Sequence, residues 1–404
     1  MRHSTDHILT SHAGSLPRPD DLVELNRARQ AGESVDEAEF QARLRGAIGE
    51  LVAAQVAAGI DVVGDGEFGK AMGNKIDYGA WRSYAFARLS GIETEVVPTS
   101  QLPVQRSSPG HVVLSSNADR RDRRRFADAY ADPTSGTWTT PSGNFLQGVC
   151  TGPIAYVGQE AIARDIENFT AALAASGVEE GFMTALGPGS CSRIANRYYE
   201  SEEELLFACA EAMREEYRAI VEAGIVLQID DPAIAENFDL VNPEPSVEDY
   251  RAFSMLRVEA LNHALAGLPR DRIRFHLCWG SWHGPHTTDI AMRDIVEVML
   301  AVDVDGYSFE AGNVRHEHEW RVWNEVKLPE QKVLYPGVVS HATNVVEHPE
   351  VVADRIERFA NAVGREQVVA ATDCGLGGRV HPQIAWAKLE ALAAGAALAT
   401  ERLY

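Results

Sequence analysis

The sequence predicts an α/β protein folded as a single (β/α)8 barrel, a TIM barrel, with a long insertion after its second strand. Three observations predict it. Short apolar or β-branched runs alternate with long amphipathic stretches, the pattern of parallel strands joined by helical crossovers. No Gly-rich dinucleotide fingerprint follows the first run, which argues against the competing doubly wound open sheet. Residues able to do chemistry gather at the ends of the runs, where barrel enzymes build their sites.

In chain order the runs are "HILTSHAGS" (7–15), "DVVGDGEF" (61–68), "GVCTGP" (148–153), "GFMTAL" (181–186), "IVLQIDDP" (225–232), "IRFHLCWG" (273–280), "GYSFEAGN" (306–313), "VLYPGVVS" (333–340) and "VVAATDCG" (368–375). A closed barrel needs eight strands, so one of the nine is an extra element, and "GFMTAL" is assigned that place. Between the runs, residues 36–60, 201–225 and 246–268 carry apolar side chains at three- and four-residue spacing, the mark of amphipathic helices. The first of these is expected to start at Ser34 or Asp36, with acidic residues in its opening turn that suit the helix dipole.

Residues about 76–147 break this rhythm and are rich in Ser, Pro, Thr and Arg. They read as an insertion or lid within a single domain covering 1–404. Inside them "NADRRDRRRFAD" (117–128) holds five arginines, either a solvated helix face or an anchor for an anionic substrate tail.

Composition narrows the partners. Asp plus Glu is 59 against 37 for Lys plus Arg, and the net charge of −22 repels nucleic acid and anionic membrane. The opening "MRHSTDHILT" has no apolar core of signal-peptide length. Five widely spaced cysteines suit a reducing cytoplasm better than a disulfide framework.

Within "FHLCWGSWHGPH" (275–286), His276 and Cys278 stand two apart. In a strand such residues face the same side, so one nitrogen and one sulfur can aim at a common point. The pair alone reads equally as a buried histidine beside a buried thiol. Glu310 at the end of the next run and Cys374 at the end of the last change the balance, because barrel closure brings these ends to one rim. His276, Cys278, Glu310 and Cys374 then form a tetrahedral set whose sulfurs and imidazole favour zinc over magnesium or calcium. His316 and His318 of "RHEHEW" read as a solvated loop, and His283 and His286 as neighbours of the site or plain loop residues. "GPGS" (187–190) reads as an ordinary turn, with phosphate binding through its amides as the alternative.

Taken together these motifs resemble the catalytic barrel of the cobalamin-independent methionine synthases. "HLC", "SFE" and "ATDCG" match that family's metal ligands in order and spacing. "HAGSLPRP" is similar to its first-strand motif, "GDGE" to its "HGE" and "QIDDP" to its "QIDEP"; "TGP" (151–153) also matches. The resemblance runs from about residue 8 to 378, apart from 76–147 and roughly 160–200. It implies that Ser15, Glu67 and Asp230 hold the amino and carboxylate ends of an amino acid acceptor. It also implies Zn2+ as cofactor and alkyl transfer to a thiol as the reaction, with Glu310 the ligand expected to yield to the substrate. The partners are then a small-molecule thiol and an alkyl donor, with a homo-oligomer left open.

The donor side departs from the family. Gln159 stands where its folate-stacking tryptophan would be. Ser340 and Ala342 of "YPGVVSHAT" replace its aspartate and histidine, so His341, between them, is the candidate general acid. The chain also lacks the N-terminal barrel that helps those synthases bind polyglutamyl folate. Two other readings follow. One is thiol alkylation of the kind carried out by epoxyalkane:coenzyme M transferases, although Glu67 and Asp230 favour an amino acid acceptor. The other is a metal-free barrel like uroporphyrinogen decarboxylase.

Overall fold

The computed structural model describes residues 1–73, 80–137 and 144–404. Ten strands are present among them: β1 (Val62–Gly64), β2 (Ile92–Pro98), β3 (Asn144–Cys150), β4 (Glu180–Leu186), β5 (Ala195–Asn196), β6 (Val226–Asp230), β7 (Ile273–Leu277), β8 (Gly306–Phe309), β9 (Val333–Val339) and β10 (Ala371–Thr372). Seven form one parallel sheet in the order β1-β4-β6-β7-β8-β9-β10.

The sheet curls until its edges share a segment. Thr10 accepts a backbone bond from Val62 at 2.9 Å, beside β1. On the other side Ser11 N donates to Ala370 O and Ala370 N to Leu9 O, both at 2.8 Å. Residues Leu9–Ser11 therefore join the two edges.

Helices supply the crossovers, as the periodicity requires. Glu37–Ala57 is capped by Asp36, whose side chain accepts from the amides of Ala38 and Glu39. Glu202–Glu222 and Val247–Leu265 are capped in the same way by Ser201 and Ser246. Of the two starts considered for the first helix, Asp36 is the one used.

Two strand assignments exchange places. "GFMTAL" is β4, buried along its whole length between β1 and β6. "GVCTGP" contributes instead to β3, which pairs with β2 antiparallel and with β5 in a separate three-stranded sheet. The physical reason is burial. A strand with parallel neighbours on both sides and helices over it must be apolar throughout, whereas β3 leaves Leu146 exposed.

Between β1 and β4 lie the helix Ala80–Arg88, the antiparallel pair β2 and β3 with two short helices, Arg121–Arg125 and Ala127–Ala131, between its strands, and the helix Gln159–Ser176. The arginine run is divided rather than uniformly solvated. Arg120 is buried, pairs with Glu236 and Asp239, and lies 4.2 Å from the Trp282 ring. Arg121 pairs with Glu244 and donates to Phe238 O at 2.8 Å, while Arg124 and Arg125 remain exposed. The buried pair clamps this segment onto the loops that follow β6 and β7, so Arg120 and Arg121 do not form an anchor for a substrate anion.

Inside the barrel, Arg274 of β7 is fully buried. It bonds Gln228 Oε1, Ser11 Oγ and His12 O at 2.8–2.9 Å, and its guanidinium lies 3.7 Å from the Phe182 ring. A buried cation is tolerated when its donors are taken up in this way. Among the described residues, no helix is long and apolar enough to cross a membrane.

Candidate metal centre and acceptor pocket

His276 is the fourth residue of β7 and Cys278 follows the strand directly, so both face one side. Cys374 lies two residues beyond β10. Two strands separate β7 from β10 in the sheet, but its curl brings a nitrogen of His276 and the sulfurs of Cys278 and Cys374 within 4.8 Å of one another. The sulfurs are 3.9 Å apart, and the Gly280 amide donates to Cys278 Sγ at 3.2 Å. Ser308 of β8 lies 2.9 Å from His276 Nδ1 and fixes the ring. His276 Nε2 is buried without a hydrogen-bond partner.

The thiol of Cys278 beside Cys374, with His276 near it, holds Cys374 well below the usual thiol range. Cys374, together with burial, pushes Cys278 well above it. Burial opposes a charge on His276, but Cys374 outweighs it and the imidazole is raised.

Glu310 follows β8 and belongs to a second group. One of its oxygens accepts from Trp279 N at 2.9 Å and the other from Asn313 Nδ2 at 2.7 Å. Its ligand atoms and those of His341 and Asp373 lie within 4.8 Å of one another. Asp373 Oδ1 takes the amides of Ala311 and Gly312 at 2.8 and 2.6 Å. Burial pushes Glu310 up to about 7, against the pull of His316. Burial also lowers His341 to about 4, so this imidazole is neutral at neutral pH.

Of the sequence-predicted acceptor residues, Ser15 and Asp230 adjoin segments that carry the trio, and Glu67 lies beside Gly14. Ser15 O accepts the amides of Leu376 and Gly377, both at 2.9 Å, so the loop after the first run interlocks with the loop that carries Cys374. Gly14, at φ +120°, has Thr184 and the Glu67 carboxylate where a side chain would go, at 2.9 and 3.2 Å; only glycine fits there. Glu67 adopts φ 61° on a turn braced by Asp65, whose carboxylate accepts the Glu67 amide at 3.0 Å. Glu67 Oε1 is held by Thr184 Oγ1 at 2.7 Å and Lys70 Nζ at 3.2 Å. Although burial opposes it, the Lys70 charge and then the Thr184 bond bring Glu67 below its ordinary value.

Asp230 ends β6 directly beside His276 in the sheet register, and Gln228 donates to it at 2.7 Å. Burial raises it to about 7, with His276 pulling down and Glu67 pushing up.

Several side chains escaped sequence reasoning. Lys70 was visible as the basic residue three places after Glu67, two residues past the quoted run. Thr184 was hidden because "GFMTAL" had been placed outside the barrel. Asp373 lay unnoticed beside Cys374 in "ATDCG". His316 proves buried, not solvated: it bonds Glu319 at 2.8 Å and Asp289 at 3.2 Å and stacks on Trp279 at 4.1 Å. His318 is exposed, as the loop reading expects. His286 also bonds Asp289, at 3.2 Å. In "GPGS" the Gly189 amide and the Ser190 hydroxyl are taken by Asp231, at 3.0 and 2.7 Å, so the turn is closed by the protein's own carboxylate.

With this geometry in view, comparison with known proteins is specific. Residues 149–397 match the family described as the cobalamin-independent synthase, catalytic domain. A methionine synthase of Saccharolobus solfataricus is 26% identical over 242 residues, covering 59% of this chain and 64% of that protein. A methionine synthase of Thermococcus kodakarensis is 27% identical over 182 residues, covering 45% of this chain and 46% of its own length. The match thus spans less than two thirds of either relative. A B12-independent methionine synthase from a Shewanella species, solved with selenomethionine, superposes with a TM-score of 0.68 at 21% identity. It covers 98% of this chain and 99% of that one. A putative B12-independent methionine synthase from Listeria monocytogenes gives a TM-score of 0.62 at 17% identity, with 98% and 99% covered. These two structures share the fold of this chain.

Proposed function

Because this chain belongs to the cobalamin-independent synthase catalytic-domain family, we propose that it carries out zinc-dependent transfer of a methyl or alkyl group to a thiol, most simply homocysteine. We read Leu9–Ser11 as the eighth stave of a single (β/α)8 barrel that spans 1–404, with 76–147 as its insertion. The free cysteines suit action in a reducing cytoplasm.

The observation that carries the reading is the donor set: a nitrogen of His276 and the sulfurs of Cys278 and Cys374 lie within 4.8 Å of one another, and His276 Nε2 makes no hydrogen bond. A buried polar atom left without a bond costs about 1–3 kcal/mol, and a soft cation relieves that cost. Two thiolates and an imidazole suit zinc. His276, Cys278 and Cys374 would hold the ion, with Glu310 the fourth ligand and the one that yields to substrate. Zinc bound there would lower the pKa of an acceptor thiol and keep it as a nucleophilic thiolate.

This chain's own residues do the rest. Asp230 and Glu67 receive the acceptor's ammonium, and Ser15 its carboxylate, which fixes the sulfur beside the trio. The sulfur attacks the electrophilic carbon, the bond to the leaving group breaks, and the leaving group departs with its electron pair. His341 is the candidate to manage the leaving group's proton. As a neutral imidazole at neutral pH it can only share its N–H or relay a proton. The donor is not folate in this reading, because Gln159 starts its helix bonded to Tyr156 O and Glu215, both at 3.0 Å, where a stacking ring would be needed.

Lys70 beside Glu67 keeps a second reading in view: an acceptor with a sulfonate, alkylated as in the epoxyalkane:coenzyme M transferases. Purified protein is expected to hold about one zinc per chain and to release a proton near neutral pH when the true thiol is added. Folded protein that binds no zinc would leave the metal-free decarboxylase-like reading standing instead.

A further inference from the structure

Trp282, Tyr130 and Asp122 are buried side chains to which the transfer chemistry gives no role. Cys278 opens the loop between β7 and the helix Met292–Leu300, while Asp122 and Tyr130 belong to the segment between β2 and β3. Trp282 Nε1 donates to the Tyr130 hydroxyl at 2.9 Å, and that hydroxyl donates to Asp122 Oδ2 at 3.0 Å. The other oxygen of the same carboxylate accepts the Thr287 amide and hydroxyl at 3.0 and 3.1 Å. The segment therefore grips the loop at two points, one close to Cys278 and one towards its far end.

The grip reaches the sulfur through Gly280. At φ +96° this residue has the edge of the Trp282 ring where a side chain would go, with ring carbons 2.0 and 2.5 Å from that position. Only glycine fits there, and the ring packs hard against its backbone. The Gly280 amide is the one that donates to Cys278 Sγ at 3.2 Å. The ring is itself held in place, with the Arg120 guanidinium 4.2 Å from its centre and the His286 ring at 4.0 Å. Contacts thus run without a gap from Asp122 through Tyr130, Trp282 and Gly280 to Cys278. An N–H bond to a thiolate draws off part of the sulfur's charge, and groups that orient metal ligands in this way are commonly worth about 10–100-fold in metal affinity.

We propose that Trp282, held by Tyr130 and Asp122, is a positioning residue of the trio: it fixes the Gly280 amide on Cys278 and so sets the metal affinity of the trio and the charge on that sulfur. The segment between β2 and β3 then serves the metal centre. The proposal rests on the zinc reading of the trio and adds a determinant outside its ligands.

The test compares the full wild-type chain with Tyr130→Phe, Trp282→Phe and the double variant, which break the bond between Trp282 and Tyr130 from one side or from both. Chelator competition gives zinc affinity, the thiolate-to-cobalt(II) absorption band of cobalt-loaded protein reports on the sulfurs, and denaturant unfolding gives stability. Each single variant should weaken zinc binding at least about tenfold. Each should also move the band to lower energy, because a sulfur relieved of its amide gives up an electron more readily. In the double variant the two losses should not add, because both act through one bond. Either single variant tests the proposal, so one that does not fold leaves the other. Stability lost while zinc affinity and band stay at their wild-type values would show a purely structural role and overturn the proposal, as would losses that simply add. A wild-type chain that binds neither zinc nor cobalt removes the zinc reading and the proposal with it; metal-binding wild type beside unchanged variants removes the proposal alone.

Discussion

His276, Cys278 and Cys374 bring one nitrogen and two sulfurs within 4.8 Å of one another, and Glu310, His341 and Asp373 do the same with carboxylate oxygens and a nitrogen. The two groups adjoin through the Asp373–Cys374 peptide, yet they are bonded differently. Each Glu310 oxygen already accepts a hydrogen bond, and one Asp373 oxygen accepts two amides. In the sulfur group one amide reaches Cys278; buried atoms without a partner occur in both groups, His276 Nε2 in the first and His341 Nδ1 and Asp373 Oδ2 in the second. What separates the groups is donor chemistry: the Asp373 and Glu310 oxygens that take amides hold loops in place, whereas two sulfurs and an imidazole are the donors that suit a soft cation. The difference teaches that metal affinity should reside chiefly in the sulfur group, with Glu310 adding a replaceable oxygen and Asp373 shaping the loops around it.

The comparison is sharpest at the cysteines. Cys278→Ser or Cys374→Ser should lower zinc affinity by at least roughly a hundredfold, because a hydroxyl is a poor replacement for a thiolate. Metal content after dialysis against a chelator reads this out, and full retention in both variants would remove the site.

Asp373→Ala should do the opposite. Two buried amides lose their acceptor, at about 1–3 kcal/mol each, so denaturant unfolding should show a large loss of stability. Zinc should remain bound. Loss of zinc as complete as in the cysteine variants would erase the distinction between the two groups.

Asp230→Asn removes the charge opposite the acceptor's ammonium. Homocysteine should bind roughly ten- to a hundredfold more weakly, while a thiol without an amine is scarcely affected. Calorimetric titration with both thiols checks this; equal weakening would place Asp230 in the structural class with Asp373.

A further effect, on stability alone, concerns His316, which stacks on Trp279. Burial opposes its charge, but Asp289 and Glu319 raise it from 6.5 to about 10. A group raised on folding stabilises most below its unfolded value. The His316 contribution is therefore complete below pH 6.5 and is lost as pH rises from there toward about 10. His316→Gln should flatten the fall in stability over that window, and an unchanged pH slope in unfolding measurements would contradict the charge assignment.

Much of this was legible in the chain because the signals are local. His276 and Cys278 advertise one face of a strand by spacing alone, and Asp36, Ser201 and Ser246 mark helix starts by their side chains. The unread part depends on contacts distant in sequence. Deciding between β3 and β4 as the barrel strand needed to know which is flanked on both sides, and both runs are short and apolar. Thr184 reaches Glu67 across 117 residues and Lys70 across 114, so no motif could announce that network. His316 looked solvated among charged neighbours, and its burial follows from Trp279 stacking on it. Glu310 was assigned by its place at a strand end, which says nothing of the Trp279 amide and Asn313 that occupy its oxygens.

The central claim is that the sulfur group holds a metal that takes the acceptor thiol. X-ray absorption at the zinc edge, on zinc-loaded protein with and without thiol, tests it most directly. The account predicts two sulfurs, from Cys278 and Cys374, rising to about three when the acceptor is added, with loss of one oxygen neighbour. A shell of nitrogen and oxygen only, or a sulfur count unmoved by every thiol tried, would contradict it.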